Sequence, residues 1–232
     1  MFIKICANTN LADAQLAIEL GADAVGFVFA RSKRQVTAEQ VAEITPELPA
    51  EVEKVGVFAT DDPFEVEHYV ACSELTAAQL HGAFDQEMVQ ALSAESGGEL
   101  KIIQTVAYEL NPADRAASDK GFETTLRAVF AEPAVWAVLL DASKSGTSGG
   151  LGVAFDWEHV AEIVQRAYPS SGERPRVILA GGLRPENVAQ AIKALQPWGV
   201  DVASGVEETP GKKDSEKVRA FIAAARAASR SR

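Results

Sequence analysis

Cysteine is scarce in this chain of 232 residues: it has two, Cys6 and Cys72. They lie far apart, match no metal-ligand spacing, and are expected to stay reduced in a cytosolic protein. Positive charge is also short, since 22 Lys and Arg against 33 Asp and Glu leave a net charge of −11. That balance argues against general nucleic-acid binding, which needs a basic face. An anionic small molecule remains compatible with it, because a few local donors hold a phosphate even on an acidic protein. No apolar run reaches the ~18 residues needed to cross a bilayer. The first residues contain no basic segment followed by an apolar one, as an export signal would. The expected setting is cytoplasmic, with no membrane and no nucleic acid among the partners. Absent too is a Gly-x-Gly-x-x-Gly turn after the first apolar run, where the chain reads Cys6-Ala7-Asn8-Thr9-Asn10.

What is present is an alternation. Short apolar runs at 2–6, 24–29, 53–59, 75–80, 101–106, 135–140, 176–180 and 199–203 read as strands covered on both faces. Amphipathic stretches lie between them. Asn10 is positioned to cap the first helix and Gly21 to end it. Thr37 with Gln40 forms a capping-box pattern. Asp62, Pro63 and Glu65 open the third helix, Asp156 and Asp214 open the sixth and eighth, and Pro185 falls in the first turn of the seventh. Eight strands alternating with eight helices is the count of a closed (β/α)8 barrel, and 232 residues suit one such domain. The missing dinucleotide turn disfavours the doubly wound open sheet, which shares the alternation. The barrel is expected over 1–225, with 226–232 as a frayed tail.

Barrel sites lie at the C-terminal ends of the strands. The first run ends in Cys6. Ala30-Arg31-Ser32-Lys33-Arg34 forms a cationic loop after the second, Gln79 and His81 close the fourth, and Asp141 ends the sixth. Glycines cluster after the last three strands: Gly149, Gly150 and Gly152, then Gly181 and Gly182, then Gly205 beside Ser204. One such cluster is as compatible with a plain turn as with a ligand. Three in succession suit a phosphate held by backbone N–H groups ahead of a short helix. Taken alone, Cys6 fits a small packed residue as well as a base, Asp141 a helix cap as well as an acid, and Arg34 a solvated surface group. Lys4 is expected to point away from Cys6 or to pack its stem. His68 and His159 are assigned no role, and Cys72 is assigned to packing.

These residues carry a family resemblance. Lys4-Ile5-Cys6, Gly21-Ala22-Asp23-Ala24-Val25-Gly26-Phe27-Val28-Phe29, Ser32-Lys33-Arg34 and Gln79-Leu80-His81-Gly82 come first. Leu140-Asp141, Phe155-Asp156-Trp157, Ala180-Gly181-Gly182-Leu183-Arg184-Pro185-Glu186-Asn187-Val188 and Asp201-Val202-Ala203-Ser204-Gly205-Val206-Glu207 follow in order. The series resembles phosphoribosylanthranilate isomerase from the first strand to Gly211-Lys212-Lys213-Asp214. The resemblance implies an Amadori rearrangement in tryptophan biosynthesis, from N-(5-phosphoribosyl)anthranilate to 1-(2-carboxyphenylamino)-1-deoxyribulose 5-phosphate. It implies no metal and no organic cofactor. It implies Asp141 as general acid, Cys6 as general base, Arg34 on the anthranilate carboxylate, and the phosphate among the glycine loops and Ser204. Gln79, His81 and Asp201 fall near the ligand. The partner is then a small phosphosugar-anthranilate substrate, and the chain is a monomer or a homodimer.

Three positions depart from the family pattern. Ala7 stands where glycine usually follows the cysteine, Ala203 where serine is common, and Leu151 where a small polar residue is frequent. If the backbone at Ala7 needs φ > 0, the alanine costs on the order of 1 kcal/mol. Competing readings are another phosphosugar barrel, such as an aminoaldose isomerase with paired aspartates or an indole-glycerol-phosphate synthase with a lysine and glutamates. A third is a ligand-binding barrel without catalysis.

Overall fold

The apolar runs become eight parallel strands: β1 Phe2–Ile5, β2 Ala24–Val28, β3 Glu53–Phe58, β4 Ala77–Leu80, β5 Lys101–Glu109, β6 Val135–Lys144, β7 Val177–Leu179 and β8 Gly199–Val202. The computed structural model describes residues 1–110, 112–144, 147–148 and 156–230. Each strand pairs with the next in sequence, and β8 pairs with β1, closing the barrel. Between them run α1 Leu11–Glu19, α2 Ala38–Ala42, α3 Pro63–Cys72, α4 Gln86–Glu95, α5 Arg115–Phe130, α6 Trp157–Ala167, α7 Val188–Leu195 and α8 Ser215–Arg230.

The period of two along a strand sorts its side chains into two cores. Ile3 and Ile5 of β1, Val138 and Leu140 of β6, and Val200 and Val202 of β8 face outward to the helices. Ala24, Val55, Ala77, Ile103, Ala137, Leu139, Ile178 and Ala180 fill the barrel itself. Phe2, Trp136 and Trp198 close its N-terminal end: Phe2 stacks on Trp198 at 4.6 Å, and Trp136 meets the two rings edge-on at 5.8 and 5.3 Å. With that floor shut, the described cavity among the strands opens at the C-terminal mouth.

Caps form largely where the sequence places them. Asn10 accepts from the Asp13 N–H, Thr37 and Gln40 form the reciprocal box, Asp62 caps α3, and Asp156 accepts from the His159 N–H. Asp214 accepts from the N–H groups of Glu216 and Lys217. Pro185 is a correction. It lies in a turn before α7, which begins at Val188, because Asn187 accepts from the Arg184 N–H and donates to the Gly182 carbonyl instead of capping the helix. Of the segment 226–232, the described residues 226–230 are helical. Helix α8 continues to Arg230, and Arg226 donates to the carbonyls of Met1 and Gly21 and to the Asp23 carboxylate.

Strand limits shift at two functional places. β4 begins at Ala77 rather than 75, since Glu74 takes a positive φ of 47° and turns the chain first. β5 and β6 pair through Ala107↔Asp141 to Glu109↔Ser143, so Asp141 stands within its strand and not just beyond it. No helix among the described residues is long and apolar enough to cross a membrane.

Candidate active site

Parity decides what reaches the barrel mouth. On β1, outward Ile3 and Ile5 leave Lys4 and then Cys6 pointing inward; on β6, outward Val138 and Leu140 leave Asp141 inward; on β8, outward Val200 and Val202 leave Asp201 inward. All three acidic or thiol groups are buried, at 6%, 7% and 8% exposure for Cys6, Asp141 and Asp201. They share a cavity of about 350 Å³ with Arg34, Gln79, His81, Gly181, Gly182, Ser204 and Gly205. A larger hollow of about 940 Å³ lies beside α5, but among the described residues His81 and Glu109 are its only titratable lining groups. Chemistry, not size, selects the smaller one.

The backbone after Cys6 turns sharply. The Cys6 N–H donates to the Val202 carbonyl at 2.8 Å, and the next residue, Ala7, has a φ of +62°. Asn8, fully buried, then donates its N–H to the Gly26 carbonyl and its side-chain amide to the carbonyls of Ile5 and Gly26. Ala7 therefore occupies the left-handed region that a glycine would occupy at no steric cost.

Lys4 corrects the sequence expectation, for it points inward beside Cys6. It is fully buried and donates to Asp201 Oδ1 at 2.9 Å. Burial alone would lower its pKa, but the Asp201 and Cys6 charges more than offset that and hold it above the usual lysine value. The Cys6 thiol is pushed up by burial, with Lys4 pulling it down and Asp201 pushing it up.

Arg34 reaches the mouth from the loop after β2. Its Nε and one terminal nitrogen grip both oxygens of Glu207 at 2.6 to 3.0 Å, the fork-on-carboxylate arrangement that favours arginine. Burial would raise the Glu207 pKa, yet the Arg34 hydrogen bonds and the Lys213 charge hold the carboxyl below its ordinary range. Glu207 begins a short antiparallel hairpin, Glu207–Thr209 with Lys212–Lys213. Lys213 is buried and donates to the Cys6 carbonyl and, at 3.4 Å, to Glu207. Burial lowers its pKa despite those two groups. Thr9 adds a hydrogen bond to the Gly211 carbonyl at 2.6 Å. The hairpin thus clasps the loop after β1 and holds the arginine from one side.

Gly181 and Gly182 follow β7 with φ of +82° and +66°. The chain after β8 makes a single 3-10 turn over Ser204–Val206, as expected of the short helix. A Cβ on Gly205 would stand 1.9 Å from the Leu183 carbonyl oxygen, so the two loops touch only because that side chain is absent. On the far side of the mouth, burial lowers the His81 pKa, with the Lys4 charge acting the same way. Gln79 donates to the Thr105 hydroxyl at 3.2 Å, while its Oε1 has no partner among the described residues.

Cys6, Asp141, Arg34, Gln79, His81, Asp201, Gly181, Gly182, Ser204 and Gly205 are thus all brought to one cavity. Gly149, Gly150, Gly152 and Leu151 lie outside the described residues. Cys72 is exposed, with its sulfur 3.8 Å from His68 Nδ1, and not packed inside. Lys4, Glu207 and Lys213 were absent from the sequence-based set. Strand parity was enough to place Lys4 inward; the other two depend on a hairpin whose seven residues lack an apolar pattern. Among the described residues no group of three or more His, Cys, Asp or Glu is placed to hold a metal ion.

A closed (β/α)8 barrel with a thiol, a carboxyl and an arginine at its mouth, facing positive-φ glycine turns after β7, defines the class of phosphosugar isomerases. Residues 3–224 match the family described as N-(5'phosphoribosyl)anthranilate (PRA) isomerase, and the chain belongs to that family. The N-(5'-phosphoribosyl)anthranilate isomerase of Bacillus cereus is 38% identical over 230 residues, 99% of this chain and 100% of that protein. A phosphoribosyl anthranilate isomerase solved with reduced 1-(o-carboxyphenylamino)-1-deoxyribulose 5-phosphate shares 32% identity and a TM-score of 0.77, covering 98% of this chain and 99% of that one. Monomers generated from the dimeric isomerase of Thermotoga maritima share 32% identity and a TM-score of 0.76 with the same coverage.

Proposed function

We propose that Asp141 and Cys6 are the acid and base with which this chain performs the isomerisation of its family, N-(5-phosphoribosyl)anthranilate to 1-(2-carboxyphenylamino)-1-deoxyribulose 5-phosphate. Asp141 gives a proton to the furanose ring oxygen, the bond from that oxygen to C1 breaks, and the anthranilate nitrogen forms the iminium. Cys6, as thiolate, removes the proton from C2 to give the enolamine. The enolamine then tautomerises: C1 gains a proton as the C2 hydroxyl gives up its own, which leaves the ketone at C2. Each proton transfer by a positioned side chain is worth roughly 10²- to 10⁴-fold in rate.

One observation carries this reading: inward parity puts the thiol of β1 and the carboxyl of β6, three strands apart around the ring, into one cavity closed at its floor. Arg34 supplies a planar donor for the anthranilate carboxylate on the β2 side. Gly181, Gly182, Ser204 and Gly205 offer the phosphate backbone donors on the β7–β8 side, with Gly149, Gly150 and Gly152 assigned to the same group. Gln79 offers its side-chain oxygen to a sugar hydroxyl, and His81 and Asp201 complete the pocket wall.

Complementation of a bacterial strain lacking the isomerase tests the assignment. Growth without tryptophan is expected from the parent chain and lost in Cys6→Ala and Asp141→Ala, with each purified variant folded and at least about 10²-fold slower. Full activity in either variant would remove that residue from its role. The rival is a barrel that binds without turnover; tight binding of the reduced product by an inactive parent would establish it.

A further inference from the structure

Beneath the thiol lies a charge pair that does not line the cavity from the lysine side. We infer that Lys4 is a positioning residue for the base: its buried ammonium, steered by Asp201, holds the Cys6 side chain at the cavity edge and favours its thiolate. The inference rests on the assignment of Cys6 as the base and says how that base is kept ready.

Three independent features converge. Lys4 and Asp201 are direct register partners across the β1–β8 ladder and are joined at 2.9 Å. Lys4 precedes Cys6 by two residues on the same inward face, and its positive charge pulls the thiol pKa down. Gly26, on the neighbouring strand β2, faces them both. A Cβ there would stand 2.7 Å from Cys6 Sγ and 3.1 Å from both Cε and Nζ of Lys4. The side chains of Lys4 and Cys6 therefore share the space left by a missing methyl, and any other residue at Gly26 would move at least one of them.

Lys4 keeps its own proton. Its pKa stays above the ordinary lysine value in spite of full burial, so it serves as a fixed cation while Cys6 cycles between thiolate and thiol. Asp201, from β8, acts on the thiol in the opposite sense and sets the orientation of the ammonium. Lys213 faces Cys6 from the hairpin and Arg34 from the loop after β2, each paired with Glu207. Asp141 from β6 and His81 from β4 line the same cavity. Of the cations, Lys4 is the one whose charge acts most strongly on the thiol.

The test is a titration of Cys6 in a Cys72→Ser background, which removes the exposed second thiol on α3. Thiolate absorbance and the rate of alkylation by iodoacetamide are followed against pH. Lys4→Met is expected to raise the midpoint by about one unit or more, lowering the thiolate fraction near neutrality about tenfold. Asp201→Asn, which keeps the cation, is expected to move it down. In steady-state kinetics Lys4→Met is expected to lose kcat about tenfold near neutrality with KM little changed, and to recover as pH rises. An unchanged midpoint in folded Lys4→Met overturns the inference, as does an upward shift in Asp201→Asn. If Lys4→Met does not fold, Lys4→Gln is titrated in its place, with the same rise expected and an unchanged midpoint overturning the inference. Activity surviving in Cys6→Ala would instead overturn the assignment of the base, and the two titration shifts would still stand.

Discussion

Ala7→Gly isolates the backbone strain next to Cys6. Ala7 is buried at a φ of +62°, where an L side chain costs roughly 1–2 kcal/mol. Glycine removes that strain. Against the gain stand the extra freedom glycine gives the unfolded chain, about 0.4–1 kcal/mol, and the loss of one buried methyl, about 0.8 kcal/mol. These sum to a change near zero. Ala14 makes the control: it is equally buried, inside α1, where glycine relieves nothing. There the helix penalty of about 0.8–1 kcal/mol adds to the lost methyl for a cost of roughly 2 kcal/mol. The difference between the two variants therefore reads the strain. Urea unfolding should separate them by about 1.5–2 kcal/mol, and thermal unfolding by roughly 4–6 °C in a domain of this size. Equal destabilisation of Ala7→Gly and Ala14→Gly would refute the argument. Activity should change less than about threefold in Ala7→Gly, because the flanking hydrogen bonds over-determine this turn.

Gly205→Ala should destabilise by about 3 kcal/mol or more in urea unfolding, since its Cβ would overlap the Leu183 carbonyl; Gly82→Ala, with nothing within 4 Å of a new Cβ, should be near neutral. Glu207→Gln should raise KM for the substrate severalfold more than it lowers kcat, since it loosens the charged grip that aims Arg34; an effect confined to kcat would contradict this. Burial depresses the His81 pKa in the folded chain, so between that value and the ordinary imidazole value of about 6.5 the unfolded state binds more protons, and stability is lost as pH drops through this window. His81→Gln should flatten that slope in unfolding measured between neutral and mildly acid pH. Glu207 is also depressed, so its contribution is present above the ordinary carboxyl range and is lost as pH falls through the folded value. Glu207→Gln should remove that lower part of the acid limb.

The barrel was legible because strands covered on both faces are short uninterrupted apolar runs, and seven of the eight begin within a residue of the expected place. β4 deviates at its start because a positive φ at Glu74 delays the pairing. β5 and β6 run past their expected ends because ladder pairing continues from Ala107↔Asp141 to Glu109↔Ser143, where charged and polar residues interrupt the apolar runs. Asp141, Cys6 and Arg34, the proposed acid, base and carboxylate anchor, were visible as polar or reactive residues beside strand ends. At Lys4 charge and strand parity point in opposite directions, and the structure satisfies both by burying the ammonium against Asp201. Glu207 and Lys213 were not legible: their pairing across a hairpin is a tertiary fact with no local pattern.

The proposed acid and the proposed base are consequently held by different means. Asp141 sits inside a ladder that continues two residues beyond it, with its backbone fixed by β5. Cys6 lies between the end of its strand at Ile5 and the left-handed residue Ala7. Its N–H is tied to Val202, its carbonyl to Lys213, and the following Asn8 to Gly26 and Ile5. Each such bond contributes about 1 kcal/mol net, more where a charge takes part. Together they exceed the ~1–2 kcal/mol that alanine costs at this φ, which explains why the turn persists without glycine. The strain at Ala7 is thus confined to the turn, and the thiol stays on the wall of the cavity opposite the proposed acid.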